Sequence, residues 1–135
     1  MPHTSNYKYL GIIVLLTILS FNSCKKESYT PGFEERLKGH YINPQYSDQK
    51  ILFEKSHKLK EKVYGISLLD NHQCVERRNI GFCGTPPVVF DDYHGEWTLA
   101  DSVLSLRLES LEGIQNFHWK ILLLDNKHLL VEILQ

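Results

Sequence analysis

The stretch that decides the fold is Tyr93-His94-Gly95-Glu96-Trp97-Thr98-Leu99-Ala100-Asp101-Ser102-Val103-Leu104-Ser105-Leu106-Arg107-Leu108-Glu109. Leu104, Leu106 and Leu108 alternate with Ser105 and Arg107, which is the period of a strand with one face in a core and one in water. Tyr93 to Leu99 and Ser102 to Glu109 meet across Ala100-Asp101, a hairpin signature. Working outward, the same pattern recurs. Leu37 to Ile42 opens the series and stops at Asn43-Pro44. Lys50 to Glu54 follows, and Glu61 to Leu69 sets Tyr64, Ile66 and Leu68 on one face before Asp70-Asn71. Gln73 to Arg78 returns. Asn79 to Asp92 is irregular, and Pro86-Pro87 excludes a central strand there. Phe117 to Leu124 and His128 to Leu134 close the chain as a hairpin across Asp125-Asn126-Lys127. Lys55 to Lys62 lacks an apolar stripe and reads as a helical turn or a charged loop.

These runs amount to eight short strands joined mostly by tight turns, an all-β reading. Eight antiparallel strands in this order predict an up-and-down barrel, which leaves no sheet edge exposed; a two-sheet sandwich is the alternative. A length of 135 residues suits one domain. Charged residues make up 23% and apolar ones 42%, with a formal net charge of -1 and the basic residues spread out. No electrostatic footprint for nucleic acid results.

The amino terminus has a different character. Lys8 precedes Leu10 to Phe21, an uncharged run of 12 residues. A membrane-crossing helix needs about 20 apolar residues, so the run fits the apolar core of a secretory signal. It leads into Asn22-Ser23-Cys24 and then Lys25-Lys26. Here the chain resembles bacterial lipoprotein precursors, with Ser23 as the small residue before the lipidated Cys, although Phe21 stands where Leu is usual. The resemblance implies acylation of Cys24, attachment to the envelope of a Gram-negative bacterium, and the outer membrane as the destination. The expected organisation is a signal peptide over 1–23, a tether over 24–35 and the β-domain over 36–135. One acyl chain holds a protein only weakly and two or more hold it durably.

Three cysteines are present. With Cys24 assigned to lipid, Cys74 and Cys83 remain as a pair that an oxidising compartment would join as a disulfide; the alternative is two buried free thiols. Their spacing suits neither a redox pair nor a zinc site.

Gly39-His40-Tyr41 resembles the Gly-x-Trp opening of lipocalin-like barrels, with Tyr41 in the Trp position, and Gly95-Glu96-Trp97 repeats the pattern. With Cys83-Gly84-Thr85-Pro86-Pro87 and the closing hairpin, residues 36 to 135 are similar to small lipocalin-like domains of bacterial envelope lipoproteins. Fold analogy does not fix a function.

Residues that would carry chemistry are sparse. His94 and Glu96 share a strand face but lack a third metal ligand, so no metal site or cofactor is expected. Asp91-Asp92 are adjacent carboxylates without a positioned partner, and no nucleophile elbow or phosphate loop appears. An enzyme is not expected. The aromatic residues Tyr41, Phe53, Tyr64, Trp97, Phe117 and Trp119 are the candidate ligand-binding set. They either line a barrel holding a small apolar or amphipathic ligand or simply fill it, since eight strands enclose little space. Leu122, Leu124, Leu130 and Leu134 fall on the opposite face of the last hairpin from Phe117 and Trp119. That face suits a second role, docking on an envelope protein partner.

Overall fold

A computed structural model describes residues 32–81, 86 and 88–135. Cys24, the signal stretch, most of the expected tether and Cys83 lie outside the described residues. A short helix, α1 (Phe33–Leu37), leads into β1 (Gly39–Ser47), β2 (Lys50–Ser56), β3 (Gly65–Leu68) and β4 (Gln73–Asn79). The chain continues through β5 (Phe90–Ala100), β6 (Val103–Ser110), β7 (Gly113–Leu124) and β8 (His128–Leu134). The strands close into one barrel, in the order β1-β2-β8-β7-β6-β5-β4-β3 and back to β1. All neighbours are antiparallel, so strand directions alternate up and down around the wall. The eight-stranded barrel expected from the sequence is the fold, and the sandwich does not form.

Strands β3 to β8 follow one another in chain order around the wall. The first hairpin is inserted with its two strands exchanged: β1 lies between β2 and β3, and β2 closes against β8. The β2–β3 link therefore crosses the outside of β1. Leu59, in the charged link, supplies the contact: a Cβ at Gly65 would meet its Cδ1 at 2.8 Å and the Tyr41 carbonyl oxygen at 2.6 Å. Ile42, on the outer face of β1, is buried beneath this crossover. Glycine at 65 is what lets strand and crossover approach.

Some strands run longer than the sequence suggests. Asn43-Pro44 does not end β1, because a register shift between Ile42 and Gln45 absorbs the proline, with Asn43 at φ 52°. A second shift, between Ile121 and Leu123, turns Leu124 toward the core opposite Leu129. Leu124 thus leaves the outer leucine set, while Leu122 and Leu123 are exposed.

Inward alternation builds the core. Tyr41, Phe53, Ile66, Leu68, Trp97, Leu104, Leu106, Leu108, Leu129 and Val131 are all essentially inaccessible to water. Each contributes about 1.5–3 kcal/mol by leaving it. One end of the barrel is plugged by α1. Leu37 is fully buried, and its carbonyl accepts a hydrogen bond from the Tyr41 hydroxyl. Lys55 Nζ donates to the Arg36 carbonyl at 2.8 Å, and Trp97 Nε1 to the Leu69 carbonyl at 3.0 Å. The buried polar tips at this helix end are thereby satisfied.

The disulfide expected between Cys74 and Cys83 is not found. Cys74 is a free, buried thiol. It lies at the start of β4, facing inward, and burial pushes its pKa up to about 11, with the charges of Glu76 and Glu96 acting the same way. The extended strand carries the chain about 17 Å from Cys74 to Asn79 before the loop bearing Cys83 begins.

Candidate functional site

The end opposite α1 is open. Tyr46, Ile51, Tyr64, Phe117, Trp119 and Ile133, with the polar Glu76, Arg78, Gln115 and Asn116, surround a cavity of about 660 Å³. That volume falls within the range of small-molecule sites. Its floor is aromatic: Trp119 packs between Phe53 and Phe117, with ring centroids 5.8 and 6.2 Å away.

The six aromatic candidates divide between the two ends. Tyr64, Phe117 and Trp119 line the cavity. Tyr41, Phe53 and Trp97 are packed in the core nearer the helix end. The barrel is filled at one end and hollow at the other: three of the six candidates fill it and three line the hollow.

The polar wall comes from β4. Strand alternation places Cys74, Glu76 and Arg78 on the inner face and Arg77 on the outer one. Glu76 is 3% exposed. One of its oxygens, Oε1, accepts a short hydrogen bond from the Tyr64 hydroxyl. Its Oε2 lies 2.5 Å from Arg78 Nη2, an ion-pair contact whose angle leaves Oε2 without an aligned hydrogen bond. Arg78 also donates to Gln115 Oε1 at 2.7 Å. Its guanidinium lies against the rings of Tyr93 and Phe117, at 5.2 and 5.7 Å from their centroids. Such contacts with a cation are favourable, the more so when shielded from water. Burial pushes the Tyr64 hydroxyl well above the usual tyrosine range, helped by the Glu76 charge and hydrogen bond and by neighbouring Tyr46. Tyr64 is accordingly a neutral donor throughout the physiological range.

Chemically, the arrangement is an aromatic cup with one fixed, charge-compensated corner. It offers apolar surface to a ligand's body and guanidinium and amide groups to its head. Glu76, Arg78 and Gln115 were not among the sequence candidates. The signal was present in Gln73 to Arg78: once Cys74 faces inward, Glu76 and Arg78 must share that face.

The remaining sequence candidates are not brought together. Asp91 and Asp92 are exposed and half-buried neighbours on β5. Asp92 is held by Arg77 through two hydrogen bonds of 2.7 Å, and these, before the charge itself, keep its carboxyl below its ordinary range. His94 and Glu96 are not brought to a third ligand: among the described residues, no three His, Cys, Asp or Glu side chains gather as a metal site. No helix there is long and apolar enough to cross a membrane. Comparison with protein-family models, with curated proteins and with solved structures finds no match for this chain.

Proposed function

We propose that this chain is a lipocalin-like envelope lipoprotein, tethered through acylated Cys24, whose barrel takes one small amphipathic molecule into its open end. It acts by binding, without a catalytic step. The observation that carries the reading is the 660 Å³ cup, with aromatic walls and Arg78 prepositioned at one side. A site that is rigid before binding avoids the cost of ordering side chains on the ligand.

Native mass spectrometry of the full chain purified from envelopes tests this reading. A retained small molecule is expected, released by Ile133→Trp, which fills the cup from β8. An anilinonaphthalene sulfonate probe should likewise change the Trp119 emission of the native protein and not that of the Ile133→Trp variant. If both proteins carry nothing and ignore the probe, the cup is not a binding site. The anchor is tested separately: the processed amino terminus should be Cys24 with its acyl mass, and Cys24→Ala should abolish attachment.

The exposure of Leu122 and Leu123 on the outer wall of β7 favours a second reading, docking on an envelope protein. Crosslinking in intact cells would then capture one reproducible partner, lost on charge substitution at Leu122 and Leu130.

A further inference from the structure

Most of the large apolar side chains left in water gather at one end. Of the ten exposed among the described residues, Tyr46, Ile80, Val88, Val89, Leu111, Ile114 and Leu134 stand at the open end, while Phe33 lies on α1 and Leu122 and Leu123 on the outer wall of β7. Tyr46 flanks the β1–β2 turn. Ile80 and Val89 face each other across the base of the β4–β5 loop, joined by a 2.8 Å backbone hydrogen bond. Leu111, at the tip of the β6–β7 turn, is 94% exposed. The turns at the helix end have the opposite composition: Asp70-Asn71-His72, Asp101-Ser102 and Asp125-Asn126-Lys127. Isolated exposed apolar residues are ordinary. A ring of them around one mouth, set against polar tips at the other end, marks a surface that is covered in use.

From this we infer that the open end sits on a phospholipid surface, with the rim residues in the interfacial layer and the cup opening onto the acyl chains. Three observations select lipid as the occupant. The apolar rim is continuous with the apolar cup, giving an amphipathic molecule an unbroken path from bilayer to cavity. The exposed charges beside the rim are carboxylates in majority, Asp48, Glu61, Asp91, Glu109 and Glu112 against Lys50, Lys62 and Arg107, the last paired with Glu109 at 3.6 Å; the acidic excess complements a zwitterionic lipid whose outermost charge is an ammonium. The nine residues from Cys24 to Phe33 span at most about 30 Å. The barrel, with strands tilted as in other eight-stranded barrels, is roughly 20–28 Å high. A chain leaving the helix end is therefore long enough for anchor and mouth to meet the same bilayer. Only this third point rests on the Cys24 anchor.

The test uses the full chain, as processed by the cell, reconstituted in phosphatidylcholine vesicles with brominated acyl chains. Leu111→Trp places a reporter on the rim and Lys127→Trp places one at the helix end, over the same Trp97 and Trp119 background. The rim reporter should lose most of its added emission to the brominated chains, and the helix-end reporter little. Equal quenching at the two ends, or none at Leu111→Trp, overturns the inference, as does failure of the protein to float with the vesicles. A dimer in solution that Leu111→Asp dissolves would assign the rim to a second copy and overturn it too. The mass of the amino terminus is read on the same sample. An unmodified Cys24 with rim-selective quenching removes the anchor and leaves the lipid-facing mouth standing.

Discussion

Removal of Arg78 is the most informative perturbation of the cup. In Arg78→Ala, Glu76 remains in a site where it is 3% exposed, keeping the Tyr64 hydroxyl and losing its cation. Breaking a fully buried pair by deleting one partner costs about 3–5 kcal/mol. The Arg78 side chain is 24% exposed, which lets water reach the gap and places the expectation at the bottom of that range, about 3 kcal/mol. The hydrogen bond to Gln115 and the packing on two rings disappear with the guanidinium, which keeps the figure from falling further. For a domain of this size that corresponds to a fall in Tm of roughly 12–20 °C. The assay is equilibrium urea unfolding followed by the emission of buried Trp97. Glu76→Leu should cost less, about 1–2 kcal/mol, because the stranded guanidinium keeps Gln115, two rings and some solvent. The double variant Arg78→Met/Glu76→Leu should lie within about 1 kcal/mol of the native protein, since an apolar pair of similar volume replaces an ion pair with little penalty. The stability argument is refuted if Arg78→Ala costs less than about 1 kcal/mol, or if the double variant costs the sum of the singles.

Three further outcomes follow from the wall and core. Cys74 has its pKa raised from 9.0 to about 11, so the unfolded chain loses that proton first. Its contribution is intact below pH 9 and is lost by pH 11, a fall of about 2–3 kcal/mol; urea midpoints at the two pH values should show it, and Cys74→Ala should flatten that limb. The thiol should also resist alkylation at neutral pH until the protein is unfolded. At Gly95 an added Cβ would lie 2.0 Å from the Arg107 carbonyl oxygen, so Gly95→Ala must push β5 and β6 apart, and a thermal melt should show a loss of at least about 2 kcal/mol. Asp92 has its carboxyl held low by Arg77; its contribution is present above the unfolded carboxylate pKa and disappears as pH falls through the lowered folded one. Asp92→Asn should remove that acid limb in a stability–pH profile, with a cost at neutral pH below about 1 kcal/mol for so exposed a pair.

Strand alternation is a local property, and it was legible wherever a strand has one wet face. Leu104, Leu106 and Leu108 announce β6 without any knowledge of their neighbours, and the polar turns at Asp101 and Asp125 mark two hairpins. Eight such strands with no spare helix leave a closed barrel as the economical arrangement. The sequence could not order the first hairpin, because β1 pairs equally well by pattern with β2, β3 or β8. The contact of Leu59 with Gly65 over the outside of β1 is a tertiary fact. The two register shifts were hidden for a related reason: a bulge changes which face a residue takes without changing composition, and so Leu124 was misplaced.

Composition and period by themselves determined the all-β class, the strand count and which aromatic residues face inward, because each depends on neighbours two residues apart. Only the tertiary structure decided that Tyr41, Phe53 and Trp97 fill one end while Tyr64, Phe117 and Trp119 line a hollow at the other. The helix α1 occupies the first end and no segment among the described residues occupies the second. Whether an inward side chain meets packed neighbours or empty space depends on what lies across the barrel, and the strand that bears it carries no record of that.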